Sequence, residues 1–116
     1  MNNIRQRKVR CCHGHTHDSK AEAIRCNELH TMQAAGEISD LRLQVPFELI
    51  PFRKYIGTEN ERKVEYICDF LYLLDGRAIV EDVKSPWTRK DAVYILKRKM
   101  FKARYGDEYT FREVVR

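Results

Sequence analysis

Alternation between apolar and polar positions divides the chain into a small number of elements. DSKAEAIRCNELHTMQAAGEI has the punctuation of a helix: Ser19 as N-cap, Glu22 at the capping-box position, and Gly36 followed by Ile38 as a left-handed stop. On that helix Glu22, Cys26 and Leu29 fall on one stripe, the one expected to face a sheet. ISDLRLQV and FELIPF read as extended segments separated by Pro46. VEYICDFLYLL reads as a strong strand, and Asp75–Gly76 is a hairpin signal leading into RAIVEDVK. Thr88 is placed to cap a second helix, RKDAVYILKRKMFKARYG, stopped at Gly106, and YTFREVV reads as a last strand. A short pair, RKVRCC and HTH around Gly14, is expected ahead of the first helix, and GTENERK (Gly57 to Lys63) reads as a surface loop.

The order helix, three or four strands, helix, strand predicts an α/β fold. The crossover helix makes the last two strands parallel and joins them to an antiparallel meander. The expected architecture is a mixed sheet with helices on its faces, in one domain over residues 1–116.

The end of RAIVEDVK is the chemical anomaly. An apolar run expected inside a sheet closes on Glu81, Asp82 and Lys84. Strand parity puts Asp82 with Lys84 on one face and Glu81 with Val83 on the other. In VEYICDFLYLL, Asp69 is a lone carboxylate alternating with Ile67, Leu71 and Leu73, and the hairpin brings it near the Asp82–Lys84 pair. Glu22 supplies a third acid from the first helix. Gathered around one lysine, these groups carry a net formal charge of about −2, and two like charges 4 Å apart repel by roughly 4 kcal/mol at an effective dielectric near 20. Such a cluster holds protons at raised pKa or recruits a divalent cation, and oxygen ligands favour Mg²⁺ or Mn²⁺ over zinc. Each acid also has a plainer reading: Glu22 as the partner of Ser19 in a capping box, Asp69 satisfied by backbone amides, and Asp82–Lys84 as a strand-end ion pair.

SKAE with Glu22, CDF with Asp69 and EDVK with Asp82, Val83 and Lys84, in that order and with ISDLRLQVPFEL between them, resemble the PD-(D/E)XK nuclease superfamily. The likeness extends to a small phage-associated family similar to Holliday-junction resolvases, and also to transposon-end and mismatch-nicking endonucleases. It implies an αβββαβ restriction-endonuclease-like core and Mg²⁺-dependent hydrolysis of DNA phosphodiesters. By that resemblance Asp69 and Asp82 hold the metal with the Val83 carbonyl, Lys84 positions or deprotonates the attacking water, and Glu22 completes the site directly or through water. Cys68 stands where the superfamily name has proline, a variable position. Gln44 is a further candidate by analogy, with an edge-strand polar residue as the favoured reading. A homodimer is expected only by analogy with enzymes that cut two strands.

Composition adds modest support. Lys and Arg outnumber Asp and Glu by 22 to 17, a net charge of +5 that suits a polyanionic partner. On the second helix Val93, Leu96, Met100 and Ala103 read as the apolar stripe. Lys90, Lys97 and Arg104 line another side with Tyr94 and Phe101, while Arg98, Lys99 and Lys102 broaden the charge. These cations are candidate DNA-phosphate contacts, with a solvated helix face as the plain alternative. Trp87 either stacks on a base or packs at a corner. CCHGHTH, with Cys11, Cys12, His13, His15 and His17, invites a zinc reading together with Cys26. It lacks the usual C-x-x-C or H-x₃-H spacings, so an ordinary hairpin is preferred. With no apolar leader or membrane-length segment, a cytoplasmic protein without a small-molecule cofactor is expected, its cysteines reduced. Two other functions stay open: a non-catalytic DNA-binding or phage-regulatory protein that retains the fold, and a small zinc-binding interaction module.

Overall fold

A computed structural model describes residues 8–11 and 13–116. Its elements are β1 (Val9–Arg10), β2 (Thr16–His17), α1 (Lys20–Ala34), β3 (Ser39–Ile50), β4 (Val64–Leu74), β5 (Arg77–Lys84), α2 (Ala92–Tyr105) and β6 (Thr110–Val115). From α1 onward this is the αβββαβ order. β1 and β2 form an antiparallel pair, and the other strands form a mixed sheet in the order β3-β4-β5-β6. Within that sheet only β5 and β6 run parallel, joined by the α2 crossover. No described helix is long and apolar enough to cross a membrane.

Local chemistry accounts for the boundaries. Ser19 Oγ accepts the Glu22 N–H at 3.1 Å and starts α1. At the other end Gly36, at φ 77°, lets Glu37 N–H reach the Met32 carbonyl and Gly36 N–H reach that of Gln33, a Schellman stop. Asp75 and Gly76 both have positive φ, the backbone that a tight two-residue hairpin demands.

Two expectations about boundaries are corrected. Pro46 does not separate two strands: β3 runs unbroken past it and pairs Pro46 with Ile67. It is tolerated because β3 is an edge strand, where a missing donor is harmless. Nor does Thr88 cap the second helix. It opens a short 3-10 turn, Thr88–Lys90, locked by reciprocal bonds with Ser85, and Asp91 caps α2 by accepting the Tyr94 N–H at 2.9 Å.

The sheet separates two cores. On the α1 side Cys26 and Leu29 pack with Phe70, Tyr72, Ile79 and Val83. On the α2 side Phe101 packs with Phe47, Tyr66, Cys68 and Val80. Of the apolar stripe expected on α2, only Met100 packs against this core, and Ala103 is exposed. Tyr94 and Phe101 are the buried residues, whereas Val93 and Leu96 are 61% and 59% exposed. Aromatic rings outweigh aliphatic count here, because Phe101 meets the rings of Phe47, Tyr66 and Tyr105 with centroids 5.0 to 5.4 Å apart.

Candidate active site

β4 does not keep strict alternation. Tyr66 and Cys68 belong to the α2-side core, yet Phe70 and Tyr72, two and four residues further on, belong to the α1-side core. The strand changes face across Asp69. The expected face of Asp69 with Ile67, Leu71 and Leu73 is therefore not uniform: Leu71 packs with the α2-side core and Ile67 is 53% exposed. Opposite Asp69 in register, between the pairs Leu43↔Phe70 and Val45↔Cys68, stands Gln44 with a left-handed φ of 53°. A non-glycine residue held there costs on the order of 1 kcal/mol, and such strain concentrates at functional sites. Gln44 itself is exposed, in agreement with an edge-strand polar residue.

At the same level the β4–β5 ladder ends, with Phe70↔Glu81 as its last pair. Asp69 fills the opening: its Oδ2 accepts the Val83 N–H at 2.8 Å. Its carboxyl also interacts electrostatically with the carboxyls of Glu22 and Asp82. The structure thus gathers Glu22 from α1, Asp69 from β4 and Asp82 from β5. Lys84 joins them, its Nζ 3.2 Å from Asp82 Oδ1. The Lys84 ammonium lies 4.7 Å from the centre of the Tyr94 ring, a cation–π contact that tethers it from the α2 side.

Electrostatics follow from this crowding. Burial, then the Glu22 carboxyl beside it, raises Asp69 to about 7. Burial, then the Asp69 carboxyl, raises Asp82 to about 7 as well. Buried carboxylates this close resist losing their protons together. Asp82 Oδ2 receives the Tyr66 hydroxyl at 2.6 Å, while Asp82 Oδ1 is buried and makes no hydrogen bond despite its ion pair with Lys84. An under-satisfied carboxylate oxygen within an all-oxygen donor set is what a hard divalent cation fits. Asp69 and Asp82 would hold such an ion, with Glu22 beside it. A cleft of about 300 Å³ is bordered by Ser19, Glu22, Asp69, Val83 and Lys84, and a second, lined by Tyr66, Asp82, Lys84, Tyr94 and Lys97, approaches from the α2 side; Lys84 borders both.

Glu81 and Asp82 divide their roles cleanly. Glu81 is fully buried and satisfied: Arg25 donates to both of its oxygens at 2.8 and 2.9 Å, and the Tyr72 hydroxyl donates at 2.7 Å. That arrangement is structural. Asp82 is the member turned to the site, as parity predicts. Glu22 departs from a reciprocal capping box. Its Oε2 lies 2.7 Å from His17 Nδ1 and 3.4 Å from the Asp18 N–H. His17 was not foreseen as a partner of the acid cluster; its position five residues before Glu22, across a helix start, is not a recognised helical spacing.

The basic side chains of α2 do not act alike. Arg98 pairs with Glu113 at 3.2 Å, and Arg104 donates to the carbonyls of Glu48 and Leu49. Lys102 lies 5.2 Å from the centre of the Phe111 ring. Lys90 and Lys99 are exposed, and Lys97 borders the second cleft. Trp87 does not pack at a corner: it is 81% exposed, close in sequence to Lys84.

The CCHGHTH segment supplies the hairpin β1–β2. It also brings Cys11, His17 and Cys26 together, all buried, with their ligand atoms within 4.8 Å of one another. A second group, His15, Cys26 and His30, meets the same limit. His30 was not among the residues singled out by sequence, and Cys12 lies outside the described residues.

No curated protein and no solved structure matches this chain. A family model does, over residues 1–114, under the description "Protein of unknown function (DUF1064)". That match takes in both helices, both sheets and every acid of the site, and the chain belongs to the DUF1064 family.

Proposed function

We propose that this protein is a Mg²⁺-dependent DNA endonuclease of the PD-(D/E)XK type, with branched DNA such as a four-way junction as its substrate class. The reading is carried by one observation: Glu22, Asp69, Asp82 and Lys84 converge where the β4–β5 ladder opens, and the two aspartates are both raised to about 7.

Asp69 and Asp82 would hold the ion, and Glu22 would complete its surroundings. When bound, Mg²⁺ lowers the pKa of water and neutralises phosphoryl oxygens. The remaining work falls to the chain. Val83 N–H and the Tyr66 hydroxyl fix the two aspartates through one oxygen each, which keeps the other oxygens directed by the backbone. Lys84, steered by Asp82 and the Tyr94 ring, presents an ammonium to a phosphate entering the cleft. There it positions the attacking water and offsets the charge that develops on the phosphoryl oxygens. Lys90, Lys97 and Lys99 supply sequence-independent contacts to neighbouring phosphates. Exposed Trp87, three residues after Lys84 in sequence, is suited to stacking on the base pair laid open at a branch point, which continuous duplex does not present.

The test is a panel of labelled DNA structures (four-way junction, flap, nicked and intact duplex) incubated with the protein and Mg²⁺ or Mn²⁺. Cleavage of the junction, abolished by EDTA, supports the reading. Binding without cleavage in either metal overturns it in favour of a non-catalytic DNA-binding protein. Cleavage that survives EDTA rejects the metal-dependent chemistry.

A further inference from the structure

Adjoining the acid cluster through the His17–Glu22 contact, the hairpin and α1 enclose a concentration of soft ligands that the endonuclease reading does not use. Cys11 follows β1 and His17 ends β2, while Cys26 and His30 lie one helical turn apart on α1. Cys11, His17 and Cys26 are 6%, 2% and 0% exposed, and they approach within 4.8 Å through Sγ and ring-nitrogen atoms. Neither Cys11 nor Cys26 is in a disulfide.

The two ring nitrogens of His17 have different environments. Nδ1 lies 2.7 Å from Glu22 Oε2, whereas Nε2 is buried and makes no well-formed hydrogen bond. A histidine that gives one N–H to a carboxylate and leaves its other nitrogen bare in a dry pocket beside thiols has the arrangement of a metal ligand with its orienting partner. The same orphaned state recurs at His30 Nε2, and His30 forms with His15 and Cys26 a second group of ligand atoms that shares Cys26 with the first. Two buried nitrogens without hydrogen bonds within one small region are costly unless something binds them.

We propose that Cys11, His17, Cys26 and His30 bind one structural Zn²⁺ that staples the β1–β2 hairpin to α1. Cys₂His₂ donors suit zinc over the harder ions expected at the acid cluster. Two thiolates and two neutral imidazoles balance the charge of the ion, so the site is neutral and compatible with burial. His30 is chosen over His15 as fourth ligand because its Nε2 is buried and it stands at i+4 from Cys26, while His15 is exposed. Cys11-x₅-His17-x₈-Cys26-x₃-His30 is not a pattern of local zinc pairs, because a hairpin and a helix assemble it.

The site does not depend on the endonuclease reading, and its test needs no DNA. Protein purified under reducing conditions without chelator is assayed for metal, then stripped and refilled with Co²⁺. The expected results are zinc near one per chain, an intense tetrahedral Co²⁺ spectrum and a thiolate-to-cobalt charge-transfer band. Cys26→Ser and His17→Gln should reduce the zinc content to near zero, with Cys68→Ser, in the other core, as an unchanged control. His30→Ala should weaken retention more than His15→Ala; the reverse order overturns the fourth-ligand assignment. If Cys26→Ser fails to fold, the wild-type spectrum still decides. Fully reduced wild-type protein that retains no zinc and gives no thiolate band overturns the site.

Discussion

Asp69 Oδ2 accepts the Val83 N–H at 2.8 Å, across the point where β4 and β5 have ceased to pair. A side chain here does the work of a ladder carbonyl. The contact places a carboxylate between two strands, with acids from α1 and β5 within reach, and ties candidate metal ligation directly to sheet geometry.

Loss of the reactive groups should separate activity from folding. Asp82→Ala and Lys84→Ala are expected to reduce junction cleavage by at least about 100-fold. Their far-UV circular dichroism should match the wild type. Asp82→Asn removes a negative charge from the path of the phosphates, and its DNA affinity, read by mobility shift without metal, should equal or exceed that of the wild type. Full cleavage by Asp69→Ala would remove the central ligand from the scheme.

Stability should depend on pH with an unusual sign. In the unfolded chain Asp69 and Asp82 titrate near the ordinary value of about 3.9, whereas in the folded chain both are raised to about 7. Between those values the folded state holds protons that the unfolded state has released, so the contribution of these groups to stability falls as pH rises through that window. In chelator, Tm of the wild type should drop between about pH 4 and about pH 7 relative to Asp69→Asn/Asp82→Asn. Mg²⁺ should recover most of the loss at the upper end and little at the lower. Parallel pH profiles for wild type and double variant would contradict the raised values.

Glu81 should behave as a structural acid despite its neighbour. Glu81→Ala leaves Arg25 without its main partner in a nearly dry site, and breaking a buried pair from one side costs about 3–5 kcal/mol. Urea unfolding should show that loss, whereas Asp82→Ala is expected to be neutral or stabilising above pH 7.

The cations of α2 should sort into two classes. Lys97→Ala is expected to weaken DNA binding without sequence preference and to reduce the salt slope by about 1, with little change in Tm. Arg98→Ala and Arg104→Ala should lower Tm, because Arg98 serves Glu113 and Arg104 serves the carbonyls of β3. Salt-dependent binding titrations and thermal melts of the three variants distinguish the classes.

Much of this was legible in the sequence because the signals were local. Ser19, Gly36 and the Asp75–Gly76 turn mark boundaries through their own backbone chemistry, and parity alone assigned Asp82 rather than Glu81 to the face of Lys84. What escaped prediction depended on tertiary context. Continuity of β3 through Pro46 requires knowing that β3 is an edge. The face of α2 was decided by an aromatic cluster contributed from β3, β4 and the end of the helix. The change of face at Asp69 has no signature in VEYICDFLYLL, whose residues would suit an uninterrupted strand, and the grouping of His30 with Cys26 and His15 needs the hairpin folded back on α1.

The outer margin of β3 carries a residue with no amide hydrogen at Pro46 and left-handed kinks at Asp40 and Gln44. A neighbouring chain seeking to lengthen the sheet from that side would meet a gap in its donors and a bent template. Strand addition along β3 is therefore disfavoured for any two-fold partnership of this protein, and the same interruptions guard it against fibrous self-assembly from that border.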